Sequence, residues 1–255
     1  MSYTICPLFS GSEGNCTYIE CGNIKFLIDI GISYLQVQNE LKKINVDISE
    51  IDFILITHIH SDHIKGLSSL LKKTNIILYS SIDTYNKLSN MMEIRNYHIC
   101  ESSFEFNDIE ITPFSLSHDV DCYGFLIKYN FKELVYITDT GYLNKRYFDM
   151  LCNKDIYIIE ANHDEKMLMD GPYPYILKQR IISDRGHLSN STTGSILRKL
   201  IGNRTKYVLL AHLSEHNNSK DIAFKQVYDN ISELGFDKEK IIITDQYVSL
   251  DMIEV

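Results

Sequence analysis

The chain has 255 residues, 44% hydrophobic and 23% charged, with a net charge of −9. That length suits one large domain with a full core, residues 1–255, and the composition excludes a disordered scaffold. The acidic balance counts against a protein that holds nucleic acid through a broad basic face, unless bound cations bring positive charge to the substrate.

The first third reads as strands at Tyr3 to Phe9, Thr17 to Cys21 and Lys25 to Asp29, interrupted by the turn-rich Ser10-Gly11-Ser12-Glu13-Gly14-Asn15 and by Gly22-Asn23. Ser33 to Asn45 has helical periodicity, and Phe53 to Ile56 is a short apolar run of the buried-strand kind. A helix from Ile64 to Lys72, a strand at Ile76 to Tyr79 and a helix at Ile82 to Met91 follow. Strands come next at Ile109 to Leu116, Tyr123 to Tyr129 and Leu134 to Thr138. The last third alternates helices at Tyr147 to Cys152, Tyr173 to Ile182, Ser191 to Ile201 and Ile222 to Leu234 with strands at Ile156 to Glu160, Lys206 to Ala211 and Ile241 to Thr244. No low-complexity linker divides them, so the expectation is an α/β (α+β) chain folded as a four-layer αββα sandwich.

The cysteines, six in number, show no CxxC pair or regular spacing, which predicts reduced packing residues. There is no basic leader and no apolar run approaching the roughly 18 residues of a membrane span, so a cytoplasmic protein without membrane partners is expected.

Chemistry concentrates in His58-x-His60-x-Asp62-His63, directly after an apolar strand. With nine histidines in the chain, three beside an aspartate in six residues do not read as scattered surface groups. His58 and His60, two apart, share a direction in extended chain, while Asp62 and His63 on the turn into a helix can reach a second ion. Imidazoles mixed with carboxylates suit zinc, iron or manganese. His118, Asp139 and His212 each end a predicted strand where a sheet edge can present them together. Taken singly, each is as readily a cap or turn residue.

The order His-x-His-x-Asp-His, a later His, an Asp in Thr138-Asp139-Thr140-Gly141 and a His near the C-terminus resembles the metallo-β-lactamase superfamily over nearly the whole chain. The resemblance implies that His58, His60 and His118 bind one divalent metal ion, that Asp62, His63 and His212 bind a second, and that Asp139 bridges both. It gives Asp29 the part of orienting ligands, as ligating histidines require; Asn15 and His163 are expected beside it in such a supporting role. Ser10–Cys16, Glu160–Asp164, Gly171–Arg180, Gly186–Asn190 and Ala211–Asn218 are similar to the bacterial WalJ/YycJ-like branch, described as DNA exonucleases linked to a cell-wall two-component system.

The mechanism implied is attack by a bridging hydroxide between two metals, with no protein nucleophile; no Gly-x-Ser-x-Gly elbow is present. Asp62 is a candidate to hold the water's proton. Arg185-Gly186-His187-Leu188-Ser189-Asn190 precedes a predicted helix, where free backbone N–H groups bind anions. Arg185, His187, Ser189 and Asn190 are therefore candidates for a substrate phosphate, with His187 protonating the leaving group; the plainer alternative is an N-cap by Ser189 or Asn190. Tyr173 and Tyr175 are candidates for base stacking. The leading expectation is a phosphodiesterase acting on DNA ends, of either polarity, with RNA open. Alternatives are a thioester or lactone hydrolase of the same fold and a non-catalytic metal-binding regulator.

Overall fold

The computed structural model describes residues 3–255, and the chain divides into two compact units, one running to Pro113 and taking in Asp245–Val255, the other Phe114–Thr244. In the first unit β1 (Tyr3–Phe9), β2 (Cys16–Cys21) and β3 (Ile24–Ile28) form an antiparallel meander, and β4 (Phe53–Leu55), β5 (Ile77–Ser80) and β6 (Tyr97–Ile99) continue it in parallel. The helices α1 (Tyr34–Lys43), α2 (Ser61–Ile64), α3 (Leu67–Lys73) and α4 (Ile82–Met91) lie in the connections between the parallel strands. Leu27, Ile54 and Leu78 of the strands pack in one buried cluster with Val37 and Leu41 of α1, Leu67 and Leu70 of α3 and Leu88 of α4. The intervening strand residues are buried too, with Phe26 stacked on Phe53 at 4.5 Å, so β4 is apolar throughout rather than alternating.

Further along are β7 (Phe104–Phe106), β8 (Ile109–Leu116), β9 (Cys122–Tyr129), β10 (Lys132–Ile137), α5 (Phe148–Leu151), β11 (Ile156–Glu160), α6 (Glu165–Asp170), α7 (Tyr175–Ile181), α8 (Asn190–Leu200), β12 (Tyr207–Ala211), α9 (Lys220–Ile231), β13 (Ile241–Ile243) and β14 (Ile253–Glu254). The second sheet has the order β13-β12-β11-β10-β9-β8-β7, and the boundary between the units falls inside β8. Its strands β10 to β13 are parallel and its core joins Val135, Tyr157, Ile159, Val208 and Leu210 to Ile196, Leu197 and Leu200 of α8 and Val227 of α9. β14 pairs antiparallel with β1 in the first sheet.

The expected Ile64–Lys72 helix is two helices. Gly66 lies between them with its N–H bonded to the Ile30 carbonyl at 2.9 Å instead of to a helical partner, and a Cβ there would sit 2.3 Å from the Ile32 oxygen. Asp62 and His63 consequently lie inside the short helix α2 rather than ahead of a helix. Four elements went unread in the sequence. β6, β7 and β14 are short and at least partly exposed, which leaves little apolar pattern, and α6 begins only through its Asp164 N-cap. None of the six cysteines is in a disulfide, and five are buried. No helix among the described residues is long and apolar enough to cross a membrane.

Candidate metal-binding clusters

In the first unit the cluster forms where parallel strands end. Asp29, just past β3, is wholly buried and takes the left-handed conformation at φ 60°. That costs a non-glycine residue energy which the surroundings must repay. The turn aims both carboxylate oxygens at the end of β4. Oδ1 accepts the Thr57 N–H at 2.9 Å, while Oδ2 accepts the Thr57 hydroxyl at 2.9 Å and the His63 Nδ1–H at 2.7 Å.

A threonine hydroxyl has one proton. With that proton on Asp29, Thr57 Oγ1 receives the Nδ1–H of His58 at 2.9 Å. Both histidines are thereby set as Nδ1–H tautomers that offer the Nε2 lone pair, the state a metal ligand needs. Their rings lie 4.1 Å apart, with His60 4.7 Å from His58. Burial pushes the Asp29 carboxyl up, against the pull of His63 and Thr57.

The Ser10–Asn15 loop closes over this cluster. Asn15 Nδ2 lies 3.1 Å from His63 Nε2 and 3.5 Å from Asp62 Oδ2, and the Asn15 N–H donates to the Asp62 carbonyl at 2.8 Å. Gly31 is required here, since a Cβ would fall 1.6 Å from the Asp62 oxygen.

In the second unit Asp139 ends β10 at φ 59° and His212 ends β12 at φ 56°. Between those strands β11 ends in Glu160, fully buried, whose Oε1 accepts Nδ1–H from both His187 and His212 at 2.7 Å. Its Oε2 accepts the N–H of Leu188 at 3.0 Å and of Thr140 at 3.2 Å. Asp139 Oδ1 stands 3.6 Å from His212 Nδ1 and 3.7 Å from His187 Nδ1. Ligand atoms of Asp139, Glu160, His187 and His212 all lie within 4.8 Å of one another. His118 joins them, its ring 5.3 Å from that of His187 and its Nδ1 3.3 Å from the Gly186 carbonyl.

Burial alone would raise the Glu160 carboxyl, but His187 and His212 overturn that and hold it down at about 2. Burial draws His187 down in turn, and the Glu160 carboxylate carries it above the ordinary histidine value. His118 is lowered by burial. The donor sets fit divalent metal. Each cluster sets a carboxylate beside imidazoles held through Nδ1, which leaves the Nε2 lone pair outward on His58 and His63 in the first and on His212 in the second, and imidazole with carboxylate suits zinc, iron or manganese.

The remaining expected residues are placed differently from one another. Ser189 is the N-cap of α8, its Oγ accepting the Thr192 N–H at 3.2 Å, and the Asn190 N–H donates to the His163 carbonyl at 2.9 Å. The helix end that was expected to gather free N–H groups is thus largely satisfied within the chain. Asn190 is fully buried, its amide in a reciprocal pair with Asn218 at 2.9 Å. Arg185 is exposed beside His187. His163 is buried and fixes the His187–Asn190 segment through its backbone, in a parallel bridge to Ser189. Tyr175 is exposed on α7, and the ring of Tyr173 meets that of His216 edge-on at 5.9 Å.

Glu160 was read only as the end of a strand and the first residue of the Glu160–Asp164 segment, with no part in the site, although it carried a legible signal: a charged residue closing the apolar run Ile156–Ile159, as Asp29 closes Phe26–Ile28. Thr57 had no such mark.

Two parallel-strand clusters of this kind, on two mixed sheets flanked by helices, define a metallo-β-lactamase-fold protein. Residues 25–212 match the family described as a β-lactamase superfamily domain, and the chain belongs to that superfamily. It is 39% identical over 237 residues to "Exodeoxyribonuclease WalJ" of Streptococcus pneumoniae, covering 89% of this chain and 87% of that protein. It is 34% identical to "Exodeoxyribonuclease YycJ" of Bacillus anthracis, covering 90% of this chain and 89% of that one. Among solved structures it resembles the metallo-β-lactamase fold protein YhfI from Bacillus subtilis, with a TM-score of 0.76 over all of both chains at 17% identity, a likeness of fold.

Proposed function

We propose that this chain is a metal-dependent phosphodiesterase that removes nucleotides from the ends of DNA. One observation carries the reading: over about nine-tenths of its length the chain is similar to proteins named exodeoxyribonucleases, at 39% and 34% identity. The family match runs through both units, which supports treating residues 1–255 as one domain.

In this reading His58, His60, Asp62 and His63 of the first unit and His118, Asp139 and His212 of the second hold two divalent ions, zinc, manganese or iron. When bound, such ions supply Lewis-acid stabilisation for the negative charge that develops on the phosphate. Asp29 and Thr57 keep the Nε2 atoms of His63 and His58 available, and Glu160 does the same for His212. His187 is the general acid: its Nδ1–H is committed to Glu160, so the proton on Nε2 is the one it passes to the departing sugar oxygen. The Glu160 carboxylate raises the His187 pKa above its ordinary value, which favours that protonated state. Arg185, exposed two residues before it, offers charge to a substrate phosphate. Ser189 and Asn190 position this segment and do not touch substrate. A cytoplasmic location follows from a DNA substrate and belongs to the same proposal.

The test is cleavage of end-labelled DNA and RNA oligonucleotides by wild type and Asp62→Ala, each loaded with manganese or zinc. Stepwise loss of terminal nucleotides from DNA by wild type alone is expected, and its ladder reads the polarity. Two tightly bound metals without cleavage would overturn the nuclease reading in favour of a thioester or lactone hydrolase.

A further inference from the structure

Within the second unit a cleft of about 490 Å³ lies between α8 and the chain that leaves Asp139. That volume is in the range of ligand pockets, roughly 300–1,000 Å³. Thr192, Ser195 and Lys199 line one side, at helical positions that share a face, and Tyr142, Lys145 and Phe148 line the other. The lining holds two lysines and no carboxylate, in a chain whose net charge is −9. Lys199 Nζ stands 5.7 Å above the Phe148 ring, and neither lysine forms an ion pair with a carboxylate among the described residues.

Both walls start at the catalytic cluster. The Thr140 N–H donates to Glu160, and the Thr140 hydroxyl donates to the Tyr142 carbonyl at 2.8 Å, which fixes where the exposed Tyr142 ring is presented. The other wall begins at Thr192, which Ser189 caps two residues after His187. From Thr192 to Lys199 the helix rises about 10 Å, the length of about three stacked nucleotides.

We propose that this cleft holds the DNA strand next to the reacting end, its phosphates on Lys145 and Lys199 and a base stacked on Tyr142. The inference rests on the phosphodiesterase reading and adds to it a specificity surface for single-stranded substrate. Stacking on an exposed aromatic ring and pairing of backbone phosphates with lysines are the two terms that hold single strands without regard to sequence.

The experiment compares wild type, Lys145→Ala/Lys199→Ala and Tyr142→Ala. Fluorescence anisotropy of a labelled ten-nucleotide oligothymidylate is followed as salt rises, beside hydrolysis of bis(p-nitrophenyl) phosphate, which is too small to fill the cleft. Losing two phosphate contacts at about 0.7 each lowers the slope of log affinity against log salt by about 1.4 in the double variant. Tyr142→Ala weakens oligonucleotide binding about tenfold with its salt slope kept, and both variants hydrolyse the small diester at the wild-type rate.

Equal affinity and slope in all three proteins overturn the cleft while leaving the nuclease reading intact, as does failure of wild type to bind the oligonucleotide while still cleaving DNA. Lysine-dependent binding without cleavage by wild type sinks the nuclease reading alone. An equal loss of small-diester hydrolysis in the variants also overturns the proposal, because the cleft would then be acting through the reacting centre.

Discussion

His63 in the first unit and His212 in the second are each held through Nδ1 by a buried carboxylate oxygen 2.7 Å away, Asp29 following β3 beside the parallel β4 that leads to His63, and Glu160 ending β11 beside the parallel β12 that leads to His212. The two arrangements differ in load. Asp29 serves one histidine directly and reaches the second through the Thr57 hydroxyl, both on Oδ2, while Oδ1 holds the Thr57 N–H. Glu160 takes two imidazole N–H groups on the same oxygen and two backbone N–H groups on the other. The first is a relay in which one break leaves other bonds standing, whereas the second is a hub on which a metal-ligand candidate and the proposed acid depend together.

That difference gives the largest expected effect. Glu160→Gln turns a carboxylate that accepts at both oxygens into an amide able to accept at one atom and donate at the other, so His187 and His212 lose the charged acceptor that holds both Nδ1–H groups. Loss of one supporting carboxylate costs about 10–100-fold in metal affinity or activity. Glu160→Gln is expected at or beyond the upper end, about 100-fold or more in kcat/KM, with bound metal reduced. Asp29→Asn is expected near the lower end, about tenfold, because an amide oxygen standing at the Oδ2 position still accepts the Thr57 hydroxyl and the His63 Nδ1–H, and the bond lost is that of the Thr57 N–H. Steady-state rates with metal analysis of both variants decide it, and equal losses would break the hub-against-relay distinction.

A second contrast lies within the second unit, between His187 and His163. Both are largely buried, but His187 has the Glu160 carboxylate on its Nδ1, while His163 Nδ1 has no hydrogen-bond partner among the described residues. Burial therefore drives His163 down to about 4, with Glu160 opposing only in part. The ordinary value, 6.5, applies once the chain unfolds. Between those values the unfolded chain binds the extra proton, so stability falls as pH drops from about 6.5 to about 4. At about 1.4 kcal/mol per unit, the loss attributable to His163 reaches roughly 3 kcal/mol at the acid end. Urea unfolding of metal-stripped protein at pH 7 and pH 4.5 checks it. The gap between the two pH values should shrink in His163→Gln, and an unchanged gap would show that His163 is not the group titrating.

The clusters differ also in how much of them could be read in advance. His58, His60, Asp62 and His63 sit in one six-residue window after an apolar strand, and the chemistry shows in the spacing itself. His118, Asp139, Glu160, His187 and His212 are spread over most of the second unit and converge because β10, β11 and β12 lie side by side, a fact of pairing that no local pattern carries. The long strands and amphipathic helices were legible for the same local reason, while β6, β7 and β14, short and partly exposed, were not. Left-handed backbone at Asp29, Asp139 and His212 marks all three strand ends, but φ cannot be read from residues other than glycine. The helix-end motif misled in one respect. Asn190 belongs by residue type to a phosphate site, yet a partner 28 positions away takes up its amide.

That placement yields the smallest of these predictions and separates structure from substrate contact at one residue. Asn190 and Asn218 donate to each other's oxygens at 2.9 Å with the Asn190 side chain wholly buried, and Asn218 also donates to the carbonyls of Ala161 and Asn162. Asn190→Ala removes both bonds of the buried pair, while Asn218 keeps its bonds to Ala161, Asn162 and the Ser219 N–H, a loss of roughly 1–3 kcal/mol of stability. KM for an oligonucleotide should stay within about twofold of wild type, since no atom of Asn190 is exposed to a ligand. A raised KM with unchanged melting would return Asn190 to the substrate site. Lowered melting with KM unchanged makes the amide pair the clasp that ties α8, and with it the His187 segment, to the end of β11.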